Sequence, residues 1–204
     1  AGELGANAHF IAHDVANEAD WERVIGEAQA RFGALDVLVN NAGILVPGDV
    51  ETMSLEAWHK VMRVNADSVF LGIRAGVRAM KERGGSIVNM ASSSSWLPVQ
   101  GYAGYSASKA AVAALTRAAA MHCRKSGYAV RVNSVHPDGI WTPMTAASAP
   151  GVDAKYLLFD VKKNPKGRAC LPEDVVAMVL FLASDEARAV NGAAMNVDNA
   201  ILGN

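Results

Sequence analysis

Tyr105 and Lys109 stand four residues apart, so on a helix they share one face. An ammonium beside a phenol favours the phenolate, bringing a group whose pKa is about 10 toward working pH. Tyr105 then becomes usable as a general acid or base. The spacing arises by chance at roughly 0.16 per chain of this composition, so alone it decides little. Ser92 adds a hydroxyl thirteen residues earlier, at the end of an apolar run. Asn65 falls in the middle of a helical stretch, where Asn is disfavoured.

Other polar groups also close apolar runs: Asp14-Val15, Asn40-Asn41-Ala42-Gly43, Ser92 to Ser95, and His136-Pro137-Asp138-Gly139. Singly, each reads as a turn or a solvated loop. Four of them on one edge outline a site, because open α/β sheets bind ligands beyond the carboxyl ends of their strands.

Periodicity supplies the elements that must hold these groups. Strands are expected at 8–14, 35–40, 86–90, 129–135 and 193–197. Helices are expected at 20–32, 54–83, 102–125 and 172–187. Alternating strands and helices predict a single α/β domain, a doubly wound parallel sheet with helices on both faces. The segment 143–171 breaks the rhythm with Pro143, Pro150, Gly151, Pro165 and Gly167, and only a weak helical stretch near Tyr156. A long irregular insertion of this kind is expected to act as a substrate lid.

Composition excludes several classes. The 204 residues are 51% hydrophobic and 19% charged, with a net charge of -1, which argues against a nucleic-acid or polybasic membrane binder. Cys123 and Cys170 form no zinc or disulfide pattern, and the five histidines are scattered, so no metal site is expected. The apolar run from Val175 to Ala183 is too short to span a membrane, and no secretory leader opens the chain. A cytoplasmic location is the expectation.

Asp14, Asn40 to Gly43, Asn65, Ser92, Tyr105-x-x-x-Lys109 and Pro137 through Thr142 resemble, in order and spacing, the short-chain dehydrogenase/reductase family. The resemblance runs along the whole chain. Asn89 to Ser92, Ser95 to Pro98, Tyr102 to Tyr105 and His136 to Ile140 are similar to its hydroxysteroid dehydrogenase branch. Two positions depart from the usual pattern. Asp138 stands where most relatives have Gly after Pro137, and Asp198-Asn199 stands where most have Asp-Gly.

The resemblance implies hydride transfer between NAD, or NADP, and a secondary hydroxyl or ketone on a hydrophobic substrate such as a 3β- or 17β-hydroxysteroid. Tyr105 would exchange the proton, and Lys109 would lower the Tyr105 pKa and hold the nicotinamide ribose. Ser92 would bind the substrate oxygen, and Asn65 would hold a water linking Lys109 to solvent. Asp14 and Val15 would flank the adenine, with the backbone of Asn40, Ala42 and Gly43 along its ribose. Pro137, Ile140 and Thr142 would meet the nicotinamide. Trp96, Leu97, Pro98, Tyr102, Trp141 and Met144 flank these groups in sequence, and Trp96, Tyr102, Trp141 and Met144 are the candidates for an apolar substrate wall.

The family also has a first strand, a glycine-rich turn and a helix that cradle the pyrophosphate. Eighteen glycines here form no Gly-x-Gly, and Ala1 to Gly5 reads as the end of a helix. The Rossmann-type domain is therefore expected to lack its first strand–helix–strand unit, about 45 residues. These 204 residues alone are expected neither to form a stable sheet nor to bind dinucleotide tightly. A homodimer or homotetramer is implied through the small residues of the two long helices, Gly72, Ala75, Gly76, Ala79 and Ala110, Ala111, Ala114, Ala118. Competing readings are a 3-oxoacyl carrier-protein reductase-like enzyme and a catalytically silent, truncated oligomer partner.

Overall fold

A computed structural model describes residues 2–148, 153 and 157–202. The elements in chain order are α1 (Glu18–Phe32), β1 (Val37–Asn40), α2 (Leu55–Met62), α3 (Ser68–Met80), β2 (Gly85–Met90) and α4 (Ala103–Lys125). They are followed by β3 (Val130–Pro137), β4 (Gly139–Ile140), α5 (Pro143–Ser148), β5 (Ala169–Cys170), α6 (Pro172–Ala183) and β6 (Ala194–Val197).

The sheet is parallel, in the order β1-β2-β3-β6. Alternation along β2 sends Ile87 to one face and Val88 to the other, and both are fully buried. Ile87 joins Val69, Ile73, Val77, Val112 and Val132 under α3 and α4. Val88 joins Val135, Val175 and Leu182 under α6. Helices on both faces make the sheet doubly wound, as the alternating pattern predicts.

Two expectations change. The stretch 8–14 is not a strand, because among the described residues it has no ladder partner to exchange hydrogen bonds with. The free edge beside it belongs to β1, whose Val37 and Val39 are 38% and 40% exposed although Val88, paired with Val39, is fully buried. The single helix expected over 54–83 is instead α2 and α3 joined by a π-helical turn, Arg63–Asp67, with Asn65 inside it.

The small residues of α3 act inward. A Cβ on Gly72 would lie 2.2 Å from Asn40 Oδ1, and one on Gly76 would lie 2.8 Å from Leu38 Cδ2. These positions let α3 settle onto β1, so Gly72 and Gly76 are not available to a partner helix. At the C-terminal end, Asn199 has φ 46°, the left-handed conformation that explains the usual glycine there and that Asn tolerates.

The irregular segment opens with α5 and closes with β5, which pairs with β4 just past the end of β3. Its base is therefore tied to the site edge, while the weak helical stretch expected near Tyr156 lies outside the described residues. Among the described residues, no helix is long and apolar enough to cross a membrane.

Candidate active site

Tyr105 and Lys109 lie on the first turns of α4, and Ser92 follows β2. The three meet in a cleft of about 440 Å³ at the carboxyl edge of the sheet. Ala42, Gly43, Pro137, Ile140, Thr142 and Met144 line the same cleft, so most of the expected cofactor residues and one expected substrate residue converge there.

Ser92 is extended, with φ -167°, and caps the short 3-10 turn Ser93–Ser95 by accepting a hydrogen bond from the Ser94 N–H at 3.1 Å. Its hydroxyl also donates to the Pro137 carbonyl oxygen at 3.5 Å, a long bond that an oxygen in the cleft can replace. Lys109 is buried, and its Nζ donates to the carbonyl oxygen of Met90 at 2.7 Å. Burial lowers the Lys109 pKa to about 8. The ammonium sits 5.6 Å from the centre of the Tyr105 ring.

The expected depression of the Tyr105 phenol does not occur in this arrangement. Burial raises its pKa above the ordinary value, and hydrogen bonding with Ser92 offsets only part of that. The reason is burial, which penalises the charged forms of both Tyr105 and Lys109.

Asn65 is fully buried and does not line the cleft; it braces the wall from behind. Its Oδ1 accepts from the Ile44 N–H at 2.8 Å, and its Nδ2 donates to the Ile44 carbonyl at 2.9 Å and to Ser108 Oγ at 3.1 Å. The π turn presents Asn65 in this way, a common use of such bulges. Gly43 is held against it: a Cβ there would lie 3.4 Å from Asn65 Oδ1 and 3.6 Å from Lys109 Nζ.

The remaining candidates divide. Asn40 points into the interior, donating from Nδ2 to Asn89 Oδ1 at 2.8 Å, and Asn89 in turn donates to Thr116. Asp14 accepts from the Ala16 N–H at 3.0 Å, and the Val15 carbonyl accepts from the Trp21 indole at 2.8 Å. Both lie outside the catalytic cleft, although Val15, Asn40 and Ala42 share a neighbouring hollow. Trp96, Tyr102 and Trp141 do not line the catalytic cleft. Trp96 packs on His136, Tyr102 caps α4, and the Trp141 N–H donates to the Cys170 carbonyl.

Asp138 has a definite job. Its carboxylate accepts from Ser93 Oγ at 2.9 Å and pairs with Arg168 at 3.0 Å, clamping the loop after Ser92 to the base of the irregular segment. Arg168, Ser108 and the Met90 carbonyl are contributors that spacing alone does not reveal.

A family model described as enoyl-(acyl carrier protein) reductase matches residues 1–200. A 3-beta-hydroxysteroid dehydrogenase of Comamonas testosteroni is 59% identical over 204 residues, all of this chain and 80% of that protein. The chain belongs to the short-chain dehydrogenase/reductase family. A 3-alpha-(or 20-beta)-hydroxysteroid dehydrogenase of Mycobacterium bovis is 41% identical, over 97% of this chain and 72% of that one. A short chain dehydrogenase from Mycobacterium smegmatis superposes with a TM-score of 0.75 at 32% identity, covering 92% of this chain and 68% of its own. The chain is thus an oxidoreductase of the alcohol dehydrogenase/reductase type, acting on CH–OH, in a family that uses a nicotinamide cofactor.

Proposed function

We propose that this enzyme interconverts a secondary hydroxyl and a ketone on a hydrophobic ring, a 3β- or 17β-hydroxysteroid, using NAD or NADP. The convergence of Ser92, Tyr105 and Lys109 in one cleft carries the reading. The apolar walls of that cleft, from Met90, Ile140, Pro143 and Met144, suit a flat apolar substrate.

The residues present fit the nicotinamide half of the cofactor. Gly43 leaves room beside Lys109, and the stretch from Pro137 to Thr142 closes the opposite wall. When bound, the cofactor supplies the hydride donor or acceptor. Lys109 would hold the ribose with the donors it has not given to Met90. Ser92 would donate to the substrate oxygen and steady its charge. Tyr105 would take the hydroxyl proton in oxidation and return it in reduction. Asn65, through Ile44, would keep the backbone wall at Gly43 in place, and a water beside it would link Lys109 to solvent.

A homodimer or homotetramer is proposed through the outer groove between α3 and α4, where Phe70, Leu115 and Ala118 line an apolar hollow of about 360 Å³. Light scattering that shows a monomer removes this part. The irregular segment 143–171 is proposed as the lid over the substrate.

The deciding experiment follows nicotinamide reduction by the full-length protein with a 3β-hydroxysteroid. Turnover confined to short polar alcohols overturns the steroid assignment. A parallel titration of the 204 residues alone with NADH and NADPH is expected to show binding weaker than micromolar, since no Gly-x-Gly turn is present to receive the pyrophosphate.

A further inference from the structure

Alternation along β3 puts Ser134 and His136 on one face, beside the loop that carries Ser92. His136 is fully buried. Its Nδ1 lies 3.1 Å from the carbonyl oxygen of Ser92, and its Nε2 lies 2.8 Å from Ser134 Oγ. A carbonyl can only accept, so Nδ1 carries the proton; Nε2 then accepts from the Ser134 hydroxyl, whose other acceptor in reach, the Ala193 carbonyl, is farther away at 3.4 Å. The Trp96 indole stacks over the imidazole at 5.3 Å with an interplanar angle of 17°, and the Arg117 guanidinium sits 5.5 Å from the indole. The ring is thus pinned at both nitrogens and on a face.

We propose that His136 is a positioning residue for Ser92: its Nδ1–H fixes the Ser92 carbonyl, and with it the direction in which Ser92 Oγ meets the substrate oxygen. Burial holds the His136 pKa below its ordinary value, so the neutral ring and its single Nδ1–H persist at working pH. Trp96 acts in the same assembly as the cover that keeps the ring dry, which accounts for a large aromatic beside Ser92 that does not line the cleft. The inference rests on the role given to Ser92 above.

Two near-isosteric variants of the full-length protein separate the ring nitrogens. His136→Asn puts an amide nitrogen close to the Nδ1 place and keeps the bond to Ser92. His136→Gln reaches the Nε2 place and keeps only Ser134. With a hydroxysteroid as substrate, His136→Gln is expected to lower kcat by about tenfold or more with KM within about twofold, and His136→Asn to stay within about threefold of the parent. In a Ser92→Ala background the two variants should differ by less than about twofold, because the group they position is gone. Equal losses in the two variants, or a difference that survives in Ser92→Ala, overturns the proposal. Nitrogen-15 NMR of the imidazole gives a reading independent of turnover: the Nδ1-protonated tautomer supports the proposal and the Nε2-protonated one overturns it. A parent with no dehydrogenase turnover on any secondary alcohol overturns the role of Ser92, and the positioning role falls with it whatever the tautomer.

Discussion

The two ends of the sheet's carboxyl edge differ in how completely their groups are partnered. Around β2, β3 and α4, Ser92, Asn65, Lys109 and His136 each have hydrogen bonds to named neighbours, and Ile87, Val88, Val132 and Val135 are fully buried. Around 8–14 and β1, Phe10, Val37 and Val39 are exposed, and the buried atoms His13 Nε2 and Asn40 Oδ1 have no hydrogen-bond partner among the described residues, against Ser95 Oγ alone at the other end. The groups proposed to move the proton are therefore held by contacts inside the described residues. The side proposed for the adenine is less closed, so under the proposed function catalytic geometry and dinucleotide affinity would rest on different parts of the fold.

The largest effect that would sharpen this contrast is Tyr105→Phe. Removing the hydroxyl should cut kcat by about 10³-fold while the melting temperature stays near the parent's; a small loss of rate would mean another group carries the proton. Next comes stability. Ile87→Ala should cost about 3 kcal/mol in urea unfolding, whereas Val39→Ala on the open edge should cost less than about 1 kcal/mol. Equal costs would break the comparison, since β1 would then be as well covered as β2.

A smaller, continuous effect concerns pH. Under the proposed function oxidation needs Tyr105 as phenolate, and burial raises its pKa above the usual value. The active fraction therefore grows as pH rises, so oxidation should climb across pH 7 to about 10 while reduction, which needs the phenol, falls at the top of that range. A flat oxidation profile would place the proton elsewhere. Smallest is Asp138→Asn, which keeps the acceptor for Ser93 but loses the charge facing the largely exposed Arg168. A rise in KM of about threefold is expected with kcat unchanged, because water reaching the exposed guanidinium weakens the pair.

The convergence of the candidate site could be read from residue order, because its groups ride on local spacing. Tyr105 and Lys109 share a helix face, and Ser92 and Pro137 end strands that the apolar runs mark clearly. The rest depends on partners distant in sequence. No local pattern says that 8–14 will have no ladder, that a π turn will interrupt 54–83, or that Lys109 will choose a backbone carbonyl. Trp96, Tyr102 and Trp141 sit beside catalytic residues in sequence, yet neighbours along a chain need not share a face. Only Met144 among those aromatic and apolar candidates reaches the cleft.

The π turn at Arg63–Asp67 also fixes a phase relation. A helix advances about 100° per residue, so deleting one residue there would straighten the rod and rotate one half against the other by about that angle. Either Asn65 would swing away from Ile44, or Gly72 and Gly76 would leave the sheet and bring side chains with volume against β1. The distance from residue 65 to residue 72 is therefore a ruler that couples the cleft wall to the seating of the helix, and changes of length between them should be tolerated far less well than changes of residue type.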